Sequence, residues 1–147
     1  MESLSINEIV EQYIQLTHEV WKRGEALIRD EIGEELTNDQ HYLLRYIYQK
    51  QKCTSTELAD AFAVQKSAIT GIMNRLVEKN IIARTQDVDD RRVIYLTLTE
   101  QGMVLYKKTE KKVFRIVESI IKQFDHQEIE SFLKTYKKLA KIIKESQ

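Results

Sequence analysis

Apolar residues recur at helical spacing over most of this chain, and the period changes to two in one short stretch. Residues 4–30 place an apolar side chain at nearly every third or fourth position, which predicts one long amphipathic helix. That helix is expected to end near Ile32 and Gly33, where glycine can adopt the left-handed C-cap conformation. In residues 93–98 the alternation predicts a strand with Ile94, Leu96 and Leu98 on its buried face.

Capping motifs predict where further helices begin. Thr37 and Gln40 have the spacing of a capping box, in which each side chain bonds a free backbone amide of the other residue. The helix that follows is expected to run to about Lys50. Further boxes at 54–57 and 125–128 predict a short helix through residue 62 and a last helix near the C-terminus.

The segment between these boxes predicts a helix-turn-helix followed by a hairpin. A helix over 65–79 buries Ile69, Ile72, Met73 and Leu76, and residues 81–86 form the partner strand of 93–98. The fold class is therefore mostly α with a small β-hairpin, in a single domain over residues 1–147. Because the first and last helices carry more apolar surface than the central module can cover, we expect a two-fold dimer that pairs the chain termini.

The composition and the charge distribution exclude some classes of protein and disfavour others. The chain has 147 residues, no proline, four glycines and one cysteine, which disfavours a β-sandwich and excludes a disulfide scaffold. No stretch resembles a signal peptide or a membrane span, so a cytoplasmic protein without a membrane partner is expected. The formal charge is −6 over residues 1–36, +2 over 37–98 and +4 over 99–147, which leaves room for a local basic surface.

The usual sequence patterns of catalysis and cofactor binding are absent. The glycines lie too far apart for a phosphate-binding loop, and the three histidines are scattered along the chain. The single cysteine has no second cysteine with which to bind zinc. We therefore expect no cofactor, no metal and no enzymatic activity.

The exposed face of the helix over 65–79 is suited to the DNA major groove. Its side chains are short and polar, so the backbone can approach the bases closely, and its first turn offers free amides to a phosphate. The candidate DNA-binding residues on this helix are Gln65, Lys66, Ser67, Thr70, Asn74 and Arg75. The alternative is an ordinary exposed helix face.

The hairpin adds a second candidate element. Arg84, Arg91 and Arg92 bracket an acidic turn, and an arginine at a hairpin tip can enter the narrow minor groove. Asp90 can pair with Arg92 and direct its guanidinium. The alternative is a solvated turn in which the charges cancel.

The tip at 87–92 and the Leu-Thr-x-x-Gly sequence at 98–102 resemble the wing of the MarR family of winged helix-turn-helix repressors. Val88 replaces the usual wing proline, and Asn80 stands where glycine is frequent. The resemblance extends over essentially the whole chain. It implies a homodimer whose N- and C-terminal helices (1–34 and 100–147) form a dimerisation platform. Residues 37–98 would then bind DNA.

The resemblance also implies individual roles in DNA binding. Residues that match Ser67, Thr70 and Asn74 face bases, and the residue that matches Arg92 enters the minor groove. Lys66 and Arg75 would contact phosphates. The recognition helices of the dimer would lie about 34–36 Å apart on a pseudo-palindromic operator.

Regulation by a small hydrophobic or aromatic effector is typical of this family. The matching regions offer Tyr13, Trp21, His41 and Tyr46 as candidate pocket residues, although aromatic residues at helical spacing are more often core, and His41 is most simply an exposed or capped helix histidine. Cys53 precedes a helix N-terminus and lies near two lysines, which would favour a reactive thiolate. A thiol-responsive regulator is therefore an alternative.

These observations predict a homodimeric, sequence-specific DNA-binding transcriptional regulator, a repressor that a small molecule releases. Two alternatives remain at this point: a winged-helix interaction or dimerisation module that does not bind DNA, and a fragment of an enzyme that carries such a module.

Overall fold

The computed structural model describes residues 3–147, which form six helices and one antiparallel hairpin. The helices are α1 (Ile6–Ile32), α2 (Asn38–Lys50), α3 (Ser55–Ala61), α4 (Lys66–Glu78), α5 (Glu100–Ile121) and α6 (His126–Glu145). The strands are β1 (Ile82–Gln86) and β2 (Ile94–Leu98). The predicted order of elements and the mostly helical fold class are confirmed.

The helix starts follow the predicted capping motifs to different degrees. Thr37 and Gln40 form the complete box, since each side chain bonds the other residue's backbone amide at 3.1 Å. The Thr54 hydroxyl accepts from the Glu57 amide at 3.1 Å. Asp125 is the N-cap of α6, but within the described chain its side chain makes no capping bond. The third box is therefore wrong, although the carboxylate still lies favourably at the positive end of the helix dipole.

The predicted left-handed cap at Gly33 is also wrong. Gly33 has a φ of −60°, and its amide still donates to the Arg29 carbonyl at 2.8 Å. The right-handed turn continues because the Leu36 amide donates to the Ile32 carbonyl, which carries Leu36 into the core. Asn80, by contrast, has a φ of 59°, the left-handed conformation that asparagine tolerates at the end of a helix.

A single apolar core joins α2, α3, α4, the hairpin and the first half of α5. It contains Leu36, Leu43, Leu44, Ile47, Cys53, Leu58, Ala59, Ile69, Met73, Leu76, Ile81, Ile82, Leu96 and Tyr106. On β2 Leu96 is buried and Leu98 packs against the core, but Ile94 is 44% exposed, so the predicted burial of Ile94 is wrong. The hairpin extends beyond the core, and Ile94 lies at its outer end, paired with Gln86.

A threonine and a glycine join the hairpin to α5. The Thr99 hydroxyl accepts from the Gly102 amide at 2.9 Å and donates to the Asn80 carbonyl at 2.6 Å. A Cβ atom on Gly102 would lie 2.0 Å from the Ile81 carbonyl oxygen, so only glycine allows this close approach. This contact explains in physical terms why the strand ends in Leu-Thr-x-x-Gly.

The chain divides into two compact units, Met1–Val113 and Phe114–Gln147, with the boundary inside α5. In the first unit, α1 buries only Ile32 and exposes apolar residues along its length. The second unit contains α6, on which no residue is buried and Phe132 stacks on Tyr136 at 4.9 Å between ring centroids. Across residues 3–147, every helix is too short or too polar to cross a membrane.

Candidate nucleic-acid interface

The α4 helix separates an apolar face from a polar one. Ile69, Met73 and Leu76 are buried in the core. The candidate residues Gln65, Lys66, Ser67, Thr70, Asn74 and Arg75 are all exposed. The predicted two faces of this helix are therefore present, and the exposed one is free to meet a partner.

The start of α4 is open to an anion. Gln65 is the N-cap residue, and its side chain makes no capping hydrogen bond in the described chain. The amides of the first turn therefore have no side-chain acceptor, and they lie at the positive end of the helix dipole. Lys66 begins the same turn, and its exposed ammonium adds positive charge there.

The hairpin tip holds one arginine in a defined direction. Asp90 Oδ1 accepts from Arg92 Nε at 3.2 Å, and Asp90 Oδ2 accepts from Arg92 Nη2 at 3.3 Å. The predicted Asp90–Arg92 pair is confirmed. The Arg92 guanidinium lowers the pKa of the Asp90 carboxyl, so this group stays charged. Arg92 itself is 91% exposed and remains available to a ligand.

A second carboxylate, that of Asp87, stabilises the turn through hydrogen bonds to its backbone. Asp87 Oδ2 accepts the backbone amides of Asp89 and Asp90 at 3.2 and 3.0 Å. Because its oxygens bond the turn itself, Asp87 stabilises the loop conformation that presents Arg91 and Arg92. The acidic residues of the tip therefore have structural roles beyond cancelling charge.

Sequence reasoning missed a bond that connects the hairpin to α4. The Arg84 guanidinium in β1 donates to Asn74 Oδ1 in α4, and both side chains are exposed. Neither residue type signals such a pair from ten positions away, because the bond depends on how β1 packs beside the helix. It connects two of the predicted DNA-binding residues directly.

The four candidate effector residues lie in different environments. Tyr13 and Trp21 are exposed on α1, 44% and 61% respectively, whereas Tyr46 is partly buried with its ring edge against Phe62. His41 is fully buried, so the expectation that it is an exposed or capped histidine is wrong. Within the described residues, no aromatic contact joins any two of the four.

His41 instead anchors a polar network between α2 and α5. Its Nδ1 lies 2.8 Å from Thr109 Oγ1, and its Nε2 lies 3.3 Å from Glu110 Oε1. Glu110 Oε2 also accepts from Arg45 Nε at 3.0 Å and from the Tyr106 hydroxyl at 2.8 Å. The sequence contained no signal for these partners, which are distant from His41 along the chain.

Electrostatics in this network favour a neutral His41 and a charged Glu110. Burial lowers the pKa of His41, and the nearby Glu110 carboxylate opposes this effect only in part. Burial alone would raise the pKa of Glu110, but hydrogen bonds from Tyr106 and Arg45 outweigh it and lower the pKa. Each ring nitrogen of the buried imidazole therefore has a polar partner within the chain.

Cys53 does not have the predicted reactivity. Its side chain is fully buried, and its backbone pairs with Leu96 in an isolated β-bridge. Burial, and secondarily the Glu57 carboxylate, raise the pKa of the Cys53 thiol to about 11. The expectation of a thiolate is therefore wrong, because the low-dielectric core outweighs any influence of nearby lysines.

Across residues 3–147 no group of three histidine, cysteine, aspartate or glutamate side chains is arranged to hold a metal ion. The exposed polar surface of α4 and the hairpin tip with its Asp90–Arg92 pair form the candidate site of this chain. A short helix, an exposed recognition-type helix and a two-stranded hairpin, in this order, define a winged helix-turn-helix.

Comparisons with known proteins agree with this class. The MarR family model matches residues 36–94. The chain is 32% identical over 130 residues to the HTH-type transcriptional regulator YpoP of Bacillus subtilis, covering 86% of this chain and 89% of that protein. The chain therefore belongs to the MarR family of transcriptional regulators.

Solved structures support the fold. A mutant MarR from E. coli in complex with operator DNA superposes with a TM-score of 0.79 at 24% identity, covering 93% of this chain and 99% of that one. Streptococcus pneumoniae FabT in complex with DNA gives a TM-score of 0.78 at 21% identity, covering 97% and 100%. The predicted winged helix-turn-helix fold is confirmed.

Proposed function

We propose that this chain is a homodimeric transcriptional repressor that binds a pseudo-palindromic DNA operator and is released by a small hydrophobic or aromatic molecule. The observation that carries the proposal is the pair of exposed elements α4 and hairpin, which the bond from Arg84 in β1 to Asn74 in α4 connects. Ser67, Thr70 and Asn74 would contact bases in the major groove. Gln65, Lys66 and Arg75 would contact the flanking backbone phosphates.

The wing would contact the neighbouring minor groove. Arg92, directed by Asp90, would enter the groove, where the negative potential of DNA is strongest in narrow segments. Arg84 and Arg91 would add positive charge along the path. The relatives that carry functional names support this proposal, since they include the repressor MdtR of Bacillus subtilis and the homoprotocatechuate degradative operon repressor of Escherichia coli.

Dimerisation would use the terminal helices, 1–34 and 100–147, around the DNA-binding segment 37–98 of a single domain. The exposed apolar residues of α1 and α6 need a partner surface. Their charges are also complementary, because α1 carries six acidic and three basic residues while α6 carries three acidic and five basic residues. A second copy of this chain offers both surfaces at once.

Release by an effector would follow from differential affinity for two arrangements of the dimer. A molecule that favours a wrong spacing of the recognition helices would lower operator affinity. We place the protein in the cytoplasm, where its DNA is, and we propose no catalytic activity and no cofactor. A thiol-responsive mechanism is not favoured, since Cys53 is buried with a raised pKa.

The test is selection of DNA fragments from a random duplex library or from the source genome by the purified dimer. The proposal predicts an enriched, inverted repeat whose half-sites are about one helical turn apart. Affinity should also fall steeply with salt, because phosphate contacts release counterions. Enrichment of no sequence, together with salt-insensitive binding of a protein partner, would instead identify an interaction module.

Arg92→Ala tests the wing in the same assay. The variant should lose about 1–3 kcal/mol of operator affinity. Lys79→Ala, which removes an exposed cation at the C-terminal end of α4 that is not among the proposed DNA contacts, is the matched control and should bind like the wild type. A normal footprint from Arg92→Ala would contradict the role of the wing.

A further inference from the structure

Gly71 lies in the middle of α4, at a position where no contact within the chain requires a glycine. Its φ is not positive, so alanine could adopt the same helical conformation. A Cβ atom placed on Gly71 would have no heavy atom within 4 Å, in contrast to one on Gly102. Because glycine lowers helix stability relative to alanine, Gly71 weakens the fold, and the isolated chain offers no steric reason for it.

Position 71 faces directly away from the core. Successive residues of an α-helix are rotated by about 100°, so the positions two residues before and two residues after lie about 200° away in either direction. These positions are Ile69 and Met73, which are both buried. Gly71 is exposed on the opposite side of α4 and is therefore the residue that a partner of this helix would approach first.

The side chains that are proposed to contact bases surround this position. Ser67 lies one turn before Gly71, Thr70 is adjacent and Asn74 follows three residues later, and all of them are exposed. A helix with its side chains is about 10–12 Å across, and the major groove is about 12 Å wide, so the fit leaves little spare room. A backbone that carries no side chain at its outermost position can enter the groove more deeply.

We infer that Gly71 is a specificity-determining residue, the point at which α4 comes closest to the base edges of the operator. This inference rests on the proposed DNA-binding function. A methyl group at position 71 would hold the helix away from the groove floor, where short side chains such as Ser67 cannot follow. Phosphate contacts from long lysine and arginine side chains would adjust to the same displacement. Sequence-specific affinity should therefore fall while non-specific affinity stays.

Gly71→Ala tests the inference, because it should make the protein more stable and yet bind its operator more weakly. The wild-type dimer first selects an operator from a random duplex library, and each protein is then titrated with this operator and with a scrambled duplex of the same length and composition. Gly71→Ala should lower the affinity for the operator by about tenfold. Its affinity for the scrambled duplex should stay within about twofold of the wild type. Its Tm should rise by about 1–4 °C.

Two further variants complete the test. Ala63 lies in the turn before α4, outside the proposed DNA contacts, and has a left-handed φ of 53°. Ala63→Gly relieves that conformation, so it should raise the Tm and bind the operator like the wild type, which separates a gain in stability from a loss of binding. Gly71→Ser adds a hydroxyl to the same Cβ atom and should lose operator affinity as Gly71→Ala does, because the obstacle is the added atom and not a missing polar group.

The outcomes separate this inference from the proposed function. If the wild type enriches an operator and Gly71→Ala binds it equally well, DNA does not approach position 71 closely, and the inference is overturned alone. An equal loss on both duplexes would place a phosphate there instead of base edges and would also overturn it. A lower Tm of Gly71→Ala would reveal a need for glycine within the chain, with the same consequence. If the wild type enriches no sequence, the proposed function fails, and the inference fails with it.

Discussion

His41 in α2 and Thr109 in α5 form a fully buried pair, with 2.8 Å between His41 Nδ1 and Thr109 Oγ1. The Thr109 hydroxyl also lies 3.0 Å from the Tyr106 carbonyl, within hydrogen-bond distance. The pair connects α2 to α5, so protonation of His41 would disturb a contact between these two helices.

This pair predicts a pH dependence of stability. Because burial lowers the pKa of His41 in the folded chain, the unfolded chain, with a pKa near 6.5, takes up the proton first as the pH falls. His41 therefore stabilises the fold above about pH 6.5, and this contribution is lost as the pH falls through the folded-state pKa. The free energy of unfolding, measured in urea at constant protein concentration, should decrease as the pH falls below about 6.5.

Substitution of His41 tests the assignment. The titratable and charged groups that face His41, besides its uncharged partner Thr109, are Glu110, Arg45, Tyr42 and Tyr106. His41→Gln should flatten the pH dependence below pH 6.5, the ordinary histidine pKa. An unchanged profile in His41→Gln would show that other groups cause the acid sensitivity.

The close approach at Gly102 predicts that even an alanine at this position strongly lowers the free energy of unfolding. In Gly102→Ala the new methyl group would meet the Ile81 carbonyl oxygen at 2.0 Å, so the backbone of the hairpin or of α5 must shift. We expect a loss of about 1–3 kcal/mol in the free energy of unfolding. Gly71→Ala is the matched control: no atom lies within 4 Å of its added methyl group, so the helix should gain about 0.5–1 kcal/mol. Equal stabilities of the two variants would contradict the close approach.

The burial of Cys53 predicts that its thiol is alkylated slowly in the native protein. With its pKa raised from 9.0 to about 11, the native thiol holds roughly 100-fold less thiolate near neutral pH than an unperturbed one. Alkylation by iodoacetamide should therefore be at least that much slower in the native protein than in denaturing urea. Cys53→Ser should leave any effect of peroxide on DNA binding unchanged. Rapid native alkylation would restore the thiol-responsive alternative.

The Asp90–Arg92 pair predicts that removal of the Asp90 carboxylate weakens DNA binding. Charge repulsion alone would predict the opposite. Removal of a negative charge from a turn that is proposed to face DNA would strengthen binding if charge alone mattered. Because Asp90 also holds the Arg92 guanidinium through two oxygens, Asp90→Ala should weaken operator affinity by about threefold to tenfold. Asp89→Ala removes a neighbouring exposed carboxylate whose side chain makes no described bond, and it should bind as well as the wild type or better. Tighter binding by Asp90→Ala in a fluorescence anisotropy titration would rule out the positioning role.

Local chemistry explains which features could be predicted from the sequence. The Thr37 capping box and the Asp90–Arg92 pair each involve residues within three positions of one another. Their geometry depends on short-range sterics and hydrogen bonds, which the residue types express directly. The exposed face of α4 was predictable for the same reason, since its buried side follows the helical period.

Contacts between distant segments explain what could not be predicted. The burial of His41 depends on the packing of α5, and the raised pKa of Cys53 depends on the burial of its side chain in the core. The Arg84–Asn74 bond depends on how the hairpin lies beside α4. The sequence around each residue indicates a charge or a helix position, but it does not reveal which distant side chain supplies the partner.

The apolar surface of α6 predicts how the dimer can be separated. Phe132 and Tyr136 stack with a 27° angle between their planes and are 51% and 54% exposed. If a second copy covers them, Phe132→Glu would bury an unpaired carboxylate at a cost of several kcal/mol and shift the protein to monomers. Val88→Glu is the matched control, because Val88 is 97% exposed on the hairpin and lies outside the terminal helices. Sedimentation equilibrium should therefore give the mass of two chains for the wild type and Val88→Glu and the mass of one chain for Phe132→Glu; a dimeric Phe132→Glu would place the dimer contact elsewhere.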